Sequence, residues 1–309
     1  MKGTSKNSFW SDVRFWRFAG QAIALVLLVL AFAYLLGNLN YNLQRLGIRL
    51  GFGFLNSPAG FAIGNSPIPY QPSDSYSRAL LVGLVNSLRV ISAGMVLATI
   101  VGMTAGIARL SNNWLVRNLS LVYVETLRNT PLLLQLFFWY FAVFFSLPPV
   151  EKAVQWLGCL SFSKNGMQLG SLHLSSEFSA LLLGLAIYTG TFIAEIVRSG
   201  IQSVPQGQWE AARSLGLKPH LVMALVVFPQ ALRAIIPPLA NQYLNLAKNS
   251  SLAIAVGFSD LYAVASTTFN QTGRAVEVMI LICATYLTIS LLISLPMNLY
   301  NRSVQFVER

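Results

Sequence analysis

Six long apolar stretches separated by polar segments set the pattern of the chain. They run from Ala19 to Leu36, about Ala79 to Ala108, about Leu119 to Leu147, Phe178 to Val197, Ala231 to Ala247, and Val276 to Tyr300. Each is long enough to cross roughly 30 Å of hydrocarbon as a helix of about 20 residues, the fifth only just. The apolar segment Leu252–Phe258 is too short to cross and is expected to dip in beside the fifth helix.

Composition strengthens that reading. Of 309 residues, 55% are hydrophobic and 10% charged, against about 25% charged in soluble globular proteins. Mean hydropathy is +0.59, so the surface is matched to lipid. The net charge of +11 does not come from basic runs. Lys and Arg stand singly at the ends of apolar stretches, which serves orientation rather than a nucleic-acid groove. Cys159 and Cys283 lie in apolar surroundings without CxxC spacing, and neither a metal site nor a disulfide framework is indicated.

Basic residues set the orientation. Lys2, Lys6, Arg14, Arg17, Arg109, Arg117, Arg198, Arg213, Lys218, Arg233, Arg302 and Arg309 fall on one side. The smaller set Arg45, Arg49, Arg78, Lys152, Lys164, Lys248 and Arg274 falls on the other. Both termini and the Arg198–Arg233 loop are therefore expected in the cytoplasm. The first stretch reads as a retained anchor, because its apolar run continues through Tyr34-Leu35-Leu36 past the small-x-small site Ala31-Phe32-Ala33. Cleavage as a signal peptide is the alternative. Gly37–Ser77, rich in Gly, Asn, Pro and Ser, reads as an external linker. Pro148–Glu177 reads as a long external loop. The expected layout is a cytoplasmic leader (1–18), an N-terminal span (19–36), the linker (37–77), a core (78–300) carrying a cytoplasmic loop (203–229), and a cytoplasmic tail (301–309).

That loop carries the most informative motif, Ser203-Val-Pro-Gln-Gly-Gln-Trp-Glu-Ala-Ala-Arg-Ser-Leu-Gly-Leu-Lys-Pro219. Pro205 suits a first helical turn, Glu210, Ala211, Ala212, Arg213 and Leu215 are good helix formers, and Gly216 stands where a C-cap needs positive φ. Pro219 can start a second short helix, expected to end near Pro229. The spacing predicts a helix–Gly–helix elbow.

Glu210-Ala211-Ala212, Gly216 and Val226-x-Phe228-Pro229 together resemble the EAA loop of ABC-importer permeases, with Val226 and Phe228 as departures from the usual Ile-x-Leu-Pro. Glu125-Thr-Leu-Arg-Asn-Thr-Pro131 is similar to the start of a core helix in the polar amino acid branch of that family, with Asn129 in place of Gly. Pro229-Gln-Ala-Leu-Arg233, Pro237-Pro238-Leu-Ala-Asn241 and Lys248-Asn-Ser-Ser-Leu252 are similar to that branch too. The resemblance covers about Ser77 to Tyr300. It implies an all-α membrane protein of the type I ABC-importer transmembrane fold, a five-helix core plus one extra N-terminal helix, in a bacterial plasma (inner) membrane. It further implies that Glu210, Ala211, Ala212, Gly216 and Pro229 couple to a separate ATPase. The implied partners are a second permease subunit (a paralogue or a copy), two ATPase subunits that bind ATP and Mg, and an extracytoplasmic amino acid-binding protein.

No GxxxxGK[ST] phosphate loop occurs, so no cofactor or ATP hydrolysis is expected on this chain. His173 and His220 have no HExxH partner, and no catalytic constellation is visible. Ionisable groups within spans are costly and need a reason. Glu125 and Arg128, three apart, are expected to share a face and to pair, as are Glu195 and Arg198. The competing roles are an ion-pair network holding the bundle and contact with solute. Asn241, after a supposed break at Pro237-Pro238, and Tyr188-Thr189 are candidates for the solute path by depth. Asn86 and Arg89 are shallower ones. Gly102-x-x-x-Gly106 permits close helix approach, within the subunit or against a partner. A secondary transporter or channel would need inverted repeats and a midplane carboxylate, and a membrane enzyme a clustered polar site; neither pattern is present. Within the importer class, methionine or an opine is the alternative cargo.

Overall fold

The computed structural model describes residues 13–45, 47, 50–156 and 160–304. Lys2, Lys6, Arg49, Cys159 and Arg309 lie outside them. Two compact units divide after Phe52.

The first unit holds a single helix, α1 (Val13–Arg45). It extends well past the apolar stretch Ala19–Leu36, because no proline interrupts the chain before Pro58. Its polar end is helical too: the Asn42 amide donates to the Asn38 side-chain oxygen one turn back, at 3.2 Å. Large apolar side chains from Ile23 to Leu36 are exposed, so α1 needs a hydrocarbon solvent.

The second unit begins at Gly53 with a 3-10 turn over Gly53–Asn56. Much of the expected linker is folded here. Ala59 and Ile63 are buried with Tyr76, Ala79, Val82 and Val264, and the Ala59 N–H donates to Asp74 O at 2.8 Å. α2 (Tyr76–Ala108) starts at Ser75, whose hydroxyl accepts from the Arg78 N–H. Its exposed face carries Leu81, Leu88, Val96, Ile100 and Ile107, as lipid demands.

The expected third span is broken. α3 (Trp114–Arg128) and α4 (Leu132–Phe137) meet at 107°. Pro131 takes an extended ψ of 134°, having no N–H to continue the helix and disfavouring the helical conformation before it. The buried Gln135 staples the corner, donating to Leu127 O at 2.8 Å and Thr130 O at 3.1 Å. A π-helical turn (Phe138–Val143) and a 3-10 turn (Phe144–Ser146) continue α4.

The segment expected as a plain external loop holds a four-stranded antiparallel meander: β1 (Val154–Trp156), β2 (Leu160–Ser163), β3 (Gly166–Leu169) and β4 (Leu172–Ser175). Phe162 pairs with Met167, and Met167 with Leu174. Gly166 sits at φ +118°, where a Cβ would lie 2.0 Å from Leu174 O; only glycine fits.

α5 (Ser176–Gln202) is the hub of the bundle, packing on α2, α3 and α4. These contacts decide how Gly102-x-x-x-Gly106 is used. A Cβ on Gly102 would meet Ile193 at 2.5 Å, and one on Gly106 would meet Ala194 O at 2.7 Å. The motif is used within the subunit, against α5.

After α6 (Gln206–Ser214) come α7 (Pro219–Leu221), a π-helical stretch (Val222–Val227), α8 (Phe228–Asn249) and a 3-10 turn (Ser250–Val256). From α7 onward these run as one 38-residue span, Pro219–Val256. Three expectations change here. The helix from Pro219 does not end near Pro229, Pro237 and Pro238 lie inside α8 rather than breaking it, and Leu252–Val256 extends the span instead of dipping beside it, stopping at the left-handed Gly257. α9 (Leu261–Thr272) and α10 (Ala275–Val304) complete the fold. Counting the bent pair as one span, the described residues hold six helices able to cross a membrane.

Candidate functional site

The elbow is built from a short amphipathic helix and a left-handed joint. α6 buries Ala212 and partly buries Trp209 against Val204, Val222 and Leu217. Glu210, Ala211, Arg213 and Ser214 face outward. The helix ends as its sequence requires: Gly216 takes φ +76°, its N–H donates to Arg213 O at 2.9 Å, and the Leu217 N–H donates to Ala212 O at 3.3 Å. This is a Schellman-type stop, which a side chain at Gly216 would strain. Leu215, just before the joint, is 81% exposed. Sequence reasoning passed over it as a helix former, although an apolar residue beside a C-cap glycine is a usable signal. Pro229 lies exposed in the first turn of α8, and Gln230 reaches back toward Gln208 of α6 at 3.3 Å.

A second cluster sits where α2, α3 and α5 meet. Glu195 accepts from Arg109 Nη1 and, within its own helix, from Arg198 Nε at 3.1 Å and Nη2. Arg109 also approaches Glu125, at 4.0 Å. The expected Glu125–Arg128 pair does not form. Glu125 turns toward Arg109, and Arg128 lies over the Phe192 ring, 5.4 Å from its centre. The corner at Pro131 ends α3 at Arg128 and leaves the two side chains different neighbours. Arg109 is the residue sequence reasoning missed, because a partner 86 positions away leaves no local trace.

The remaining candidates scatter. Thr189 is buried, and Tyr188 stacks edge-on against Phe192, centroids 5.1 Å apart. Asn86 is fully buried and acts as a clamp, donating to Asn65 O at 2.7 Å and Ser259 O at 2.9 Å. Arg89 lies 5.3 Å above the Phe178 ring centre. Asn241 is exposed on α8, without the broken backbone expected beside it.

Between two spans, Asp260 caps α9. It accepts from the Ala263 N–H at 2.8 Å and lies 3.4 Å from the Tyr286 hydroxyl, while Ser87 accepts from the Leu261 N–H at 3.0 Å. Burial pushes the Asp260 carboxyl up to about 7, against the lowering effect of these donors.

The described residues form a lipid-matched helical bundle that projects a short amphipathic elbow. Residues 94–306 match the family described as binding-protein-dependent transport system inner membrane component. The chain is 40% identical to the putative amino-acid ABC transporter permease protein YhdX of Escherichia coli K12, covering 96% of this chain and 95% of that protein. It is 39% identical to the general L-amino acid transport system permease protein AapQ of Rhizobium johnstonii, covering 99% and 96%. Among solved structures, an amino acid ABC transporter crystallised with histidines superposes with a TM-score of 0.60 at 28% identity, over 74% of this chain and 95% of that one. The chain belongs to the binding-protein-dependent transport system inner membrane component family, as a type I ABC-importer permease subunit.

Proposed function

We propose that this chain forms one half of the solute path of an importer for polar amino acids, and that the α6–Gly216 elbow transmits nucleotide-driven closure from a separate ATPase subunit. The observation that carries the reading is the elbow itself. A nine-residue helix is held on the bundle by Ala212 and Trp209, stopped by a left-handed glycine, and joined directly to a spanning helix. Its outward residues, Glu210, Ala211 and Leu215, offer a carboxylate and a small apolar patch to a groove on the ATPase, and Gly216 and Pro229 fix the angle of the helix that follows. ATP and Mg are held by two such ATPases. A second permease, paralogue or copy, faces this one, and an extracytoplasmic binding protein delivers the amino acid. Both termini and the elbow lie in the cytoplasm, the side favoured by the Lys and Arg bias. The named relatives support amino acids as cargo, with the polar amino acid motifs at Glu125–Pro131 and Pro237–Asn241.

The test replaces Gly216 by Leu in the complete transporter and measures ATPase co-purification and solute-stimulated ATP hydrolysis. The joint strains and the outward face of α6 rotates, so both readouts are expected to fall about tenfold, equivalent to about 1.4 kcal/mol. Wild-type values for both would remove the coupling assignment. A wild-type complex whose ATP hydrolysis responds to no amino acid would remove the cargo assignment.

A further inference from the structure

The meander before α5 sorts its side chains by chemistry. Opposed residues of an antiparallel ladder point to the same side of the sheet, as do residues two apart on one strand. Trp156 stands opposite Leu160, Leu160 opposite Leu169, and Leu169 opposite Leu172. Two residues along each strand, Val154, Phe162, Met167 and Leu174 form a second row on that face. Every position in both rows is apolar. The row between them, Gln155, Ser161, Gln168 and His173, points to the other face and is wholly polar.

Only part of the apolar face is covered. Met167 is buried in the cluster around Phe178, and Phe162 and Leu174 pack against it, which turns this face toward the bundle. Val154, Trp156, Leu169 and Leu172 are each more than half exposed. The sheet therefore overhangs the bundle with its apolar side turned inward and its polar side turned away. An uncovered patch of this kind marks an interaction surface. Its neighbours show what it meets. Phe138, Phe141 and Phe145, on the stretch that continues α4, are exposed as a lipid-facing surface is, and the exposed Val150 carries that surface on to β1. Lys164 Nζ sits 4.3 Å from the centre of the Phe145 ring, and the Lys164 N–H donates to Pro148 O at 2.9 Å. The uncovered half is thus continuous with the side of the bundle that meets hydrocarbon. It also has the composition of a membrane interface, a tryptophan with the exposed Lys152 and Lys164 nearby. The single acidic neighbour is Glu151, beside Lys152.

We infer that the meander is an interfacial anchor, its uncovered apolar half lying in the headgroup–acyl boundary of the bilayer and Lys152 and Lys164 reaching lipid phosphates. α5 runs from Ser176, next to the meander, to Gln202, next to the elbow, so the two stand at opposite ends of one span. The leaflet is therefore the outer one, and this point alone rests on the cytoplasmic elbow proposed above. A protein approaching from the aqueous side would meet the polar face instead. Met167 ties the sheet to Phe178 in the first turn of α5, so the anchor sets the depth of the hub helix.

The experiment places the whole transporter, with both cysteines replaced by serine, in vesicles of phosphatidylethanolamine and phosphatidylglycerol. A small fluorophore is attached to Trp156→Cys or Leu172→Cys on the apolar face, or to Gln155→Cys or Gln168→Cys on the polar one. Lipids carrying a nitroxide in the upper acyl chain are expected to quench the apolar-face probes about threefold more than the polar-face probes. Iodide added from the meander side should reverse that order. Equal quenching on both faces, or apolar-face probes that iodide reaches and nitroxide lipid does not, overturns the anchor. Apolar-face probes that neither quencher reaches, or that lose iodide quenching only when the binding protein is added, are covered by protein and overturn it too. An impermeant maleimide that reaches Gln155→Cys only from the cytoplasmic side defeats the orientation reading instead. Lipid quenching then still decides the anchor, because it requires neither transport nor a given orientation.

Discussion

Glu195 holds two arginines at once, Arg198 from its own helix and Arg109 from the end of α2. Removing one member of a part-buried cluster leaves the others desolvated without compensation. Glu195→Gln should therefore lower stability by about 1–3 kcal/mol, below the fully buried range because Glu195 keeps 30% of its side chain exposed. A thermal melt in detergent checks this, and adding Arg109→Gln to Glu195→Gln should cost less than the sum of the two single changes. Asp260 acts in the opposite sense. Its folded pKa of about 7 lies above the ordinary carboxylate value near ~3.9, so the folded state binds the proton more tightly than the unfolded one. Its contribution is fully favourable below about pH 4 and is lost as pH rises toward 7. Asp260→Asn keeps a carbonyl to cap α9 and removes that loss. The variant should melt higher than wild type at pH 8, and the two should converge toward pH 4.

At the scale of elements, the contact of α2 with α5 depends on two missing side chains. Gly102→Leu drives a branched group into Ile193 and Gly190 O, which a Cβ alone would meet at 2.5 and 2.9 Å. The expected cost is about 2–3 kcal/mol, read as a fall in melting temperature and in monodisperse yield. Gly207→Ala is the control: a Cβ there meets nothing within 4 Å, and no such fall is expected. The elements differ in how far they could be read from residues alone. Hydropathy revealed the spans because lipid selects composition over long windows, and the turn at Gly216 was visible because a helix stop is local. Pro131 announced an interruption but not a 107° corner, since that angle is set by Gln135 reaching back to Leu127 and Thr130. The meander at Val154–Ser175 escaped because its strands have only three or four residues. Within such short runs, the alternation of Leu160 with Phe162, or of Met167 with Leu169, looks like loop. Glu125 was given the wrong partner because sequence spacing sees Arg128 three residues on and cannot see Arg109 across the bundle.

At the largest scale, the four buried clusters among the described residues all lie from Phe54 onward, so the unit that begins at Gly53 carries its own core. A protease site inserted near Gly51 and cut after membrane insertion should leave the melting temperature of the remaining chain within about 2 °C, a shift smaller than a loss of ~1 kcal/mol would produce. A larger drop would show that the N-terminal helix is part of that core. The elbow and the exposed polar residues of α8, Asn241 among them, both present groups that the described residues leave exposed.

The unbroken run from Pro219 to Val256 has a consequence in time. A run of 38 residues, roughly 55 Å long at about 1.5 Å per residue, is helical throughout, with a π-helical stretch at Val222–Val227 and Pro237-Pro238 as its irregular points. On the coupling proposed above, a stroke delivered at Pro219 is expected to reach Lys248 through this one helix. Probes near His220 and near Ser251 should relax with a single shared rate when nucleotide is added. Opening of one mouth and closing of the other would then be one kinetic event, with no interval in which both stand open.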